Sequence, residues 1–264
     1  MKAILGTLAA TLALGGAPAG AETITAARYT DPVERYGHFA LGRPHEYARI
    51  AATTDQGRTL TYALPEDEVF EDLAPRIVQL SAPEPQELLV IVSNRGAGAR
   101  LMLLGLRDGR LEPGAQSAAI GVPMRWLNPV GVADLDGDGR AEIAAVITPH
   151  VGGVLAVYRR QASRLVEIGS LSGFSNHAYR SPELSLSAPM RVAGRIRLLV
   201  PDTARRRLRI VGLEAEGLIE IGACPLPSPV IGPLEVVSAA SVSIGLAGGE
   251  QVVAPADCLG TRYR

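Results

Sequence analysis

Lysine is nearly missing from this chain: Lys2 is the only one in 264 residues. A mature form without it has no amine for Schiff-base chemistry and no phosphate-loop lysine. Arginine-biased codon usage is a sufficient cause. Charge of one sign is also missing. The formal net charge is −1, which gives no electrostatic case for nucleic acid or an anionic membrane as partner. Long apolar runs are absent beyond the first residues; Leu88 to Val92 and Ile196 to Val200 have strand length, too short to span a bilayer. Helical periodicity is scarce. Cysteine is limited to Cys224 and Cys258, and no companion motif supports thiol catalysis.

What is present begins with an export pattern. Met1-Lys2 is a short basic start, Ala3 to Leu14 an apolar core, and Ala19-Gly20-Ala21 a small-residue cleavage site, so residues 1–21 are expected to be a secretory signal. The mature chain, 22–264, is expected to be one domain, periplasmic or secreted, with no membrane span. In an oxidising compartment a disulfide between Cys224 and Cys258 is the economical reading. Two buried thiols remain the alternative.

Short strand-like runs recur between turn signals. Tyr47 to Ala52 and Thr59 to Leu64 flank Asp55-Gln56-Gly57; Leu88 to Ser93 and Arg100 to Leu106 flank Gly96-Ala97-Gly98. Ile143 to Ile147 and Val154 to Tyr158 flank Gly152-Gly153, and Val242 to Leu246 pairs with Gln251 to Ala254 across Gly248-Gly249. Arg195-Ile196-Arg197-Leu198 and Arg207-Leu208-Arg209-Ile210 alternate charge and apolarity, as a half-buried hairpin should. Hairpins every roughly 40 to 55 residues have the spacing of propeller blades. The expected fold is all-β, a β-propeller of about five blades; a β-sandwich or an incomplete propeller is the alternative.

The most informative run is Asp134-Leu135-Asp136-Gly137-Asp138-Gly139-Arg140-Ala141-Glu142. Its four carboxylates repel one another unless a hard cation sits among them, and its glycines permit the tight backbone that aims them inward. A calcium ion, Ca2+, is the expected occupant. A metal-free Asp/Gly turn is the bland alternative. An EF-hand is rejected, because its twelfth loop position falls on Ala145 and a strand-like run follows Glu142.

With Val132-Ala133 before it and Ile143 after it, this run resembles the calcium loop of FG-GAP, or VCBS, repeats, the blades of integrin-α-type β-propellers. The resemblance implies side-chain oxygens from Asp134, Asp136, Asp138 and Glu142 and the carbonyl of Arg140 as ligands. The wider chain resembles bacterial exported proteins carrying such repeats, on Arg35-Tyr36-Gly37-His38, Val69 to Arg76, Arg125-Trp126-Leu127, Pro149-His150 and Ser175-Asn176-His177. That group implies no transferable activity. Where the pattern would place another calcium loop, after Arg76-Ile77-Val78, this chain has Gln79 to Glu87 without aspartate, so one site is expected.

Polar and aromatic residues cluster at one phase of the repeat: Tyr36 with His38, Glu71 with Asp72 and Arg76, Arg125 with Trp126, and His177 with Arg180. Equivalent positions lie on one end of a propeller, so Tyr36, His38, Glu71, Asp72, Arg76, Arg125, Trp126 and His177 form a candidate ligand face. The competing reading gives them inter-blade bonds, with Trp126 in the core. The four histidines are dispersed and lack zinc-ligand spacing. Gly169-Ser170-Leu171-Ser172-Gly173 puts leucine where a nucleophile elbow needs serine.

The leading expectation is therefore a binding module for a protein, peptide or glycan, with structural calcium. A hydrolase or lyase using Glu71, Asp72 and His177 is the rival, and a structural subunit of an envelope assembly is the third. The enzyme needs an acid/base pair converging on one pocket.

Overall fold

The computed structural model describes residues 22–263, so the expected signal segment lies outside the described residues. Strands run in chain order as antiparallel meanders, because tight turns join consecutive runs of β-formers. Sheet I holds β1 (Ile24–Val33), β2 (Glu46–Thr54) and β3 (Thr59–Ala63). In sheet II, β4 (Glu68–Phe70) and β5 (Arg76–Val78) both pair with β6 (Glu87–Asn94), followed by β7 (Gly98–Arg107) and β8 (Arg110–Gln116). Sheet III is β9 (Leu127–Ala133), β10 (Glu142–Ile147), β11 (Val154–Gln161) and β12 (Arg164–Ser172).

Sheet IV is β13 (Ala188–Val192), β14 (Arg195–Pro201), β15 (Arg207–Glu214) and β16 (Gly217–Pro225). Sheet V is β17 (Val230–Val236), β18 (Val242–Leu246) and β19 (Gly249–Val253). All five hairpins expected from the sequence form. Sheets I, II and III are linked edge to edge by single pairs, Tyr47 with Phe70 and Gln116 with Arg164.

The sheets stack face to face, and the alternation of side chains shows how. In β6, Leu88, Val90 and Val92 pack with Ile50 and Phe70 of the preceding elements. Leu89 and Ile91 point the other way, to Trp126, Ile143 and Ala145 of sheet III. In β10, Ala144 and Val146 turn to Leu198, Val200 and Val211 of sheet IV. Leu199, Leu208 and Ile210 face Val230, Val242 and Ile244 of sheet V. Strands sandwiched this way are apolar on both faces.

Four clusters therefore join five sheets in series, and among the described residues none joins sheet I to sheet V. The β14–β15 hairpin corrects one expectation: it is not half-buried. Arg197 is buried and ion-paired to Glu214 at 2.5 Å, and the Arg209 guanidinium lies 3.9 Å over the Phe174 ring. These two arginines line a packed interface, while Arg195 and Arg207 stay exposed.

Cys224, on β16, is disulfide-bonded to Cys258 across 34 positions. The bond closes a loop that contains the whole of sheet V.

Candidate functional site

Four connections converge on one place. They are residues 34–45 after β1, 117–126 after β8, 148–153 after β10 and 173–187 after β12. The backbone N–H of Arg180 donates to the Ala40 carbonyl at 2.8 Å. Gly42 lies against the same segment with φ +73°, and a Cβ there would stand 2.4 Å from the Arg180 carbonyl oxygen, so both the conformation and the space demand glycine. Gly98, at φ +72°, gives the Val122 carbonyl the same close approach, 2.2 Å from a Cβ position. That contact seats the loop carrying Met124 and Arg125.

Two imidazoles, His38 and His150, line this junction, each backed by a buried group. His38 Nδ1 lies 2.7 Å from Glu71 Oε1. The other carboxylate oxygen accepts from Ser93 Oγ at 2.5 Å, and the Glu71 carbonyl accepts from the Trp126 indole N–H at 2.8 Å. Burial raises the Glu71 pKa above the ordinary carboxylate range, opposed by its bonds to His38 and Ser93. Met124 N–H donates to the Tyr36 hydroxyl at 3.0 Å; burial, then the charge of Glu71, pushes Tyr36 up to about 12.

The second pair has a defined direction. His177 Nε2 lies 2.9 Å from the Ser181 carbonyl, and His177 Nδ1 lies 2.7 Å from His150 Nε2. A carbonyl can only accept, so His177 carries its proton on Nε2. Burial depresses both pKa values, to about 4 for His177 and about 3 for His150, where proximity to His177 adds to the effect. Both rings are neutral at pH 7. His177 Nδ1 is then bare and accepts from His150 Nε2–H, which leaves His150 Nδ1 as a bare lone pair. Among the described residues that atom has no hydrogen-bond partner, and it is not sealed from solvent.

These depressed values predict acid sensitivity. Unfolded histidines titrate near about 6.5, so between that pH and 4 the unfolded chain takes up protons that the folded one refuses. The stabilisation from neutral His177 is whole above the unfolded pKa and is lost as pH falls, by on the order of 3 kcal/mol at pH 4. Arg205 opposes protonation as burial does; Glu183 and the Ser181 carbonyl favour it. Glu71, with its raised pKa, works in the opposite sense. Urea denaturation of wild type and His177→Gln at pH 7 and 4.5 should show the smaller pH loss in the variant. Equal losses would count against the directed pair.

The rings pack as one group. Trp126 is stacked on His150 at 6.0 Å and 8° and meets His177 edge-on at 4.9 Å. Tyr179 lies 5.2 Å from His150 and 6.2 Å from His38. An open cleft of about 470 Å³ is lined by His38, Met124, Arg125, Trp126, Thr148, His150, Val151 and Tyr179.

Of the residues expected on a ligand face, His38, Arg125 and Trp126 line this cleft, while Tyr36, Glu71 and His177 lie behind it, buried. Asp72 and Arg76 do not join. Asp72 is buried, accepts the Leu73 N–H at 2.8 Å and is ion-paired with Arg76. Asp72 lines a smaller cavity with Leu41, His45 and Glu46. The dispersed histidines are corrected by the fold, which gathers His38, His150 and His177; His45 instead bonds the Tyr47 hydroxyl. His150 and Tyr179 were not singled out as face residues. The only signal was Pro149-His150, an imidazole in a turn between two strands.

The acidic loop lies apart, between β9 and β10. Asp134, Asp136 and Asp138 each offer an oxygen within 4.8 Å of the others. Gly137 and Gly139 sit at φ +86° and +85°. Three hard oxygen donors this close could hold a divalent cation, with the remaining ligands coming from main chain or water. Glu142 does not join them. It is fully buried; one oxygen accepts the Leu135 N–H at 3.0 Å and the other is 2.8 Å from Arg159 Nη2, which also reaches Asp136 at 2.5 Å. Arg140 is bridged to Ser81, and the Ala141 N–H donates to the Leu80 carbonyl at 2.6 Å. The aspartate-free stretch after β5 thus braces the acidic loop.

No protein-family model and no curated protein matches the chain. Among solved structures, the intramolecular trans-sialidase from Ruminococcus gnavus, in complex with oseltamivir carboxylate, is similar at a TM-score of 0.47 and 12% identity. The match covers 74% of this chain and 45% of that one, so this chain corresponds to less than half of that structure. The likeness bears on neither activity nor ligand. Among the described residues no helix is long and apolar enough to cross a membrane.

Proposed function

We propose that this chain is an exported, calcium-stabilised incomplete β-propeller, five blades in an open series of the type that FG-GAP repeats build, and that it binds a protein, peptide or glycan through the cleft beside His38 and His150. The observation that carries the reading is the convergence of connections from sheets I, II and III on one concave, aromatic-lined site. Sheets packed about 10 Å apart in a straight pile could not bring the connections after β1 and β12 into hydrogen-bond contact. The Ala40–Arg180 bond supports radial blades whose inner ends meet.

The paired imidazoles support binding over the rival hydrolase or lyase. A general base works best with a pKa near the operating pH. His150 at about 3 is far too weak a base at pH 7, and Asp72 belongs to another cavity. A shaped pocket with a few fixed polar groups is what a ligand site requires. The test is affinity capture from a native envelope with wild type and Val151→Glu, a charge placed at the cleft mouth. A partner retained only by wild type is expected; identical captures would sink the reading.

Calcium would be structural, neutralising Asp134, Asp136 and Asp138. With affinity on the order of 10⁻⁴ M, as in extracellular modules, 1 mM calcium should add about 1.4 kcal/mol of stability. Asp138→Ala is the clean variant, because Asp136 is also held by Arg159. It should melt like chelated wild type and ignore added calcium. A calcium-dependent rise in its melting temperature would refute the assignment.

A further inference from the structure

We propose that the cleft receives an aromatic side chain of a partner polypeptide, one whose ring O–H or N–H donates to Nδ1 of His150. The inference rests on the cleft being the binding site and adds what enters it.

Three features select this occupant. First, the relay from the Ser181 carbonyl through His177 fixes His150 with its bare nitrogen as acceptor, so the ligand must bring a donor. Second, the mouth is apolar. Met124 is 40% exposed, Val151 62% and Tyr179 50%, three of the nine large apolar side chains exposed among the described residues. Such a rim around an aromatic floor is how interfaces hold anchor residues.

Third, no Asp, Glu, Asn or Gln lines the cleft. An ammonium group would find no carboxylate there, and sugar hydroxyls no carboxylate or side-chain amide to bridge adjacent oxygens. Arg125 stands at the edge with a single local acceptor, the Met124 carbonyl at 3.0 Å. Its other N–H groups suit a main-chain carbonyl of the partner. A volume of about 470 Å³ takes an aromatic side chain with part of its backbone.

The test is an NMR titration of the full chain with N-acetyl-L-tyrosinamide, N-acetyl-L-phenylalaninamide and methyl β-D-glucopyranoside, following backbone amides and the imidazole nitrogens. The tyrosine amide should shift Met124, Val151, Tyr179 and Nδ1 of His150. It should bind about fivefold tighter than the phenylalanine amide, the worth of one hydrogen bond. Val151→Glu should abolish both interactions, and Val252→Glu, exposed on sheet V, should leave them unchanged.

His150→Phe keeps the ring but lacks the lone pair, so the preference for tyrosine should vanish. Should that variant not fold, the two-amide ratio in wild type and the Val151→Glu result decide alone. Equal affinities for the two amides, shifts confined to other surfaces, or occupancy by the glucoside alone would each overturn the proposal. If no amide binds while Val151→Glu still loses a captured partner, this inference falls and the cleft reading stands; if capture is also unchanged, both fall.

Discussion

Replacing Trp126 with alanine should cost about 3–5 kcal/mol of stability and abolish the cleft. The indole is 1% exposed and sits in the cluster between sheets II and III, with Leu101, Leu103 and Ile143. Truncation leaves a void in packed surroundings and orphans the Glu71 carbonyl that the indole N–H satisfies at 2.8 Å. It also removes the plate on which His150 stacks. Trp126→Phe, which keeps most of the apolar area but drops the N–H, should lose roughly half as much. Because Trp126 is the only tryptophan, unfolding should be followed by circular dichroism in urea. A loss below about 1 kcal/mol for the alanine variant is incompatible with this packing.

The second large effect belongs to the disulfide. Opening a closed loop of 34 residues should cost about 4 kcal/mol in the chain-entropy description. The loss should not be spread evenly. Sheet V lies wholly inside the loop, and the tail after it is fastened to sheet IV by the Gly222–Leu259 bridge and the Gly260 N–H to the Ile221 carbonyl at 2.9 Å. Gly222 allows that approach, since a Cβ would meet the Cys258 carbonyl oxygen at 2.4 Å. In Cys224→Ala with Cys258→Ala, hydrogen exchange should quicken first in β17, β18 and β19, before sheets II and III. Uniform acceleration across all sheets would contradict a local staple.

The sequence made the hairpins legible because each is local: a glycine-bearing turn between two runs of β-formers. What it hid was the second face. Leu88 to Val92 reads as one apolar run, and only the stack shows that Leu88, Val90 and Val92 serve one interface while Leu89 and Ile91 serve the next. Arg197 and Arg209 misled for the same reason, since alternation with charge looks solvent-exposed until a partner such as Glu214 or Phe174 is known.

The site was half legible. His38, Glu71, Trp126 and His177 share a phase of the repeat, which is a local signal. Their convergence with His150 and Tyr179 depends on connections more than a hundred residues apart, such as Tyr179 O–H to the His38 carbonyl at 3.3 Å. Of the four carboxylates expected in the acidic loop to act together, Asp134, Asp136 and Asp138 do lie together. The fourth, Glu142, is claimed by Arg159 from the neighbouring strand, a pairing that no spacing rule announces.

The serial arrangement of the clusters dictates an order of disassembly. Sheets II, III and IV are gripped on two sides, whereas the outermost layers are gripped on one. In such a series, opening spreads inward from the ends, as it does in other one-dimensional assemblies. The carboxyl-terminal end is riveted covalently; the amino-terminal end is held by the cluster around Tyr47 and Phe70 and by hydrogen bonds such as Arg58 to the Gly109 carbonyl. Fraying therefore starts at sheet I, and the cleft, whose His38 follows directly from that layer, is the first to feel it.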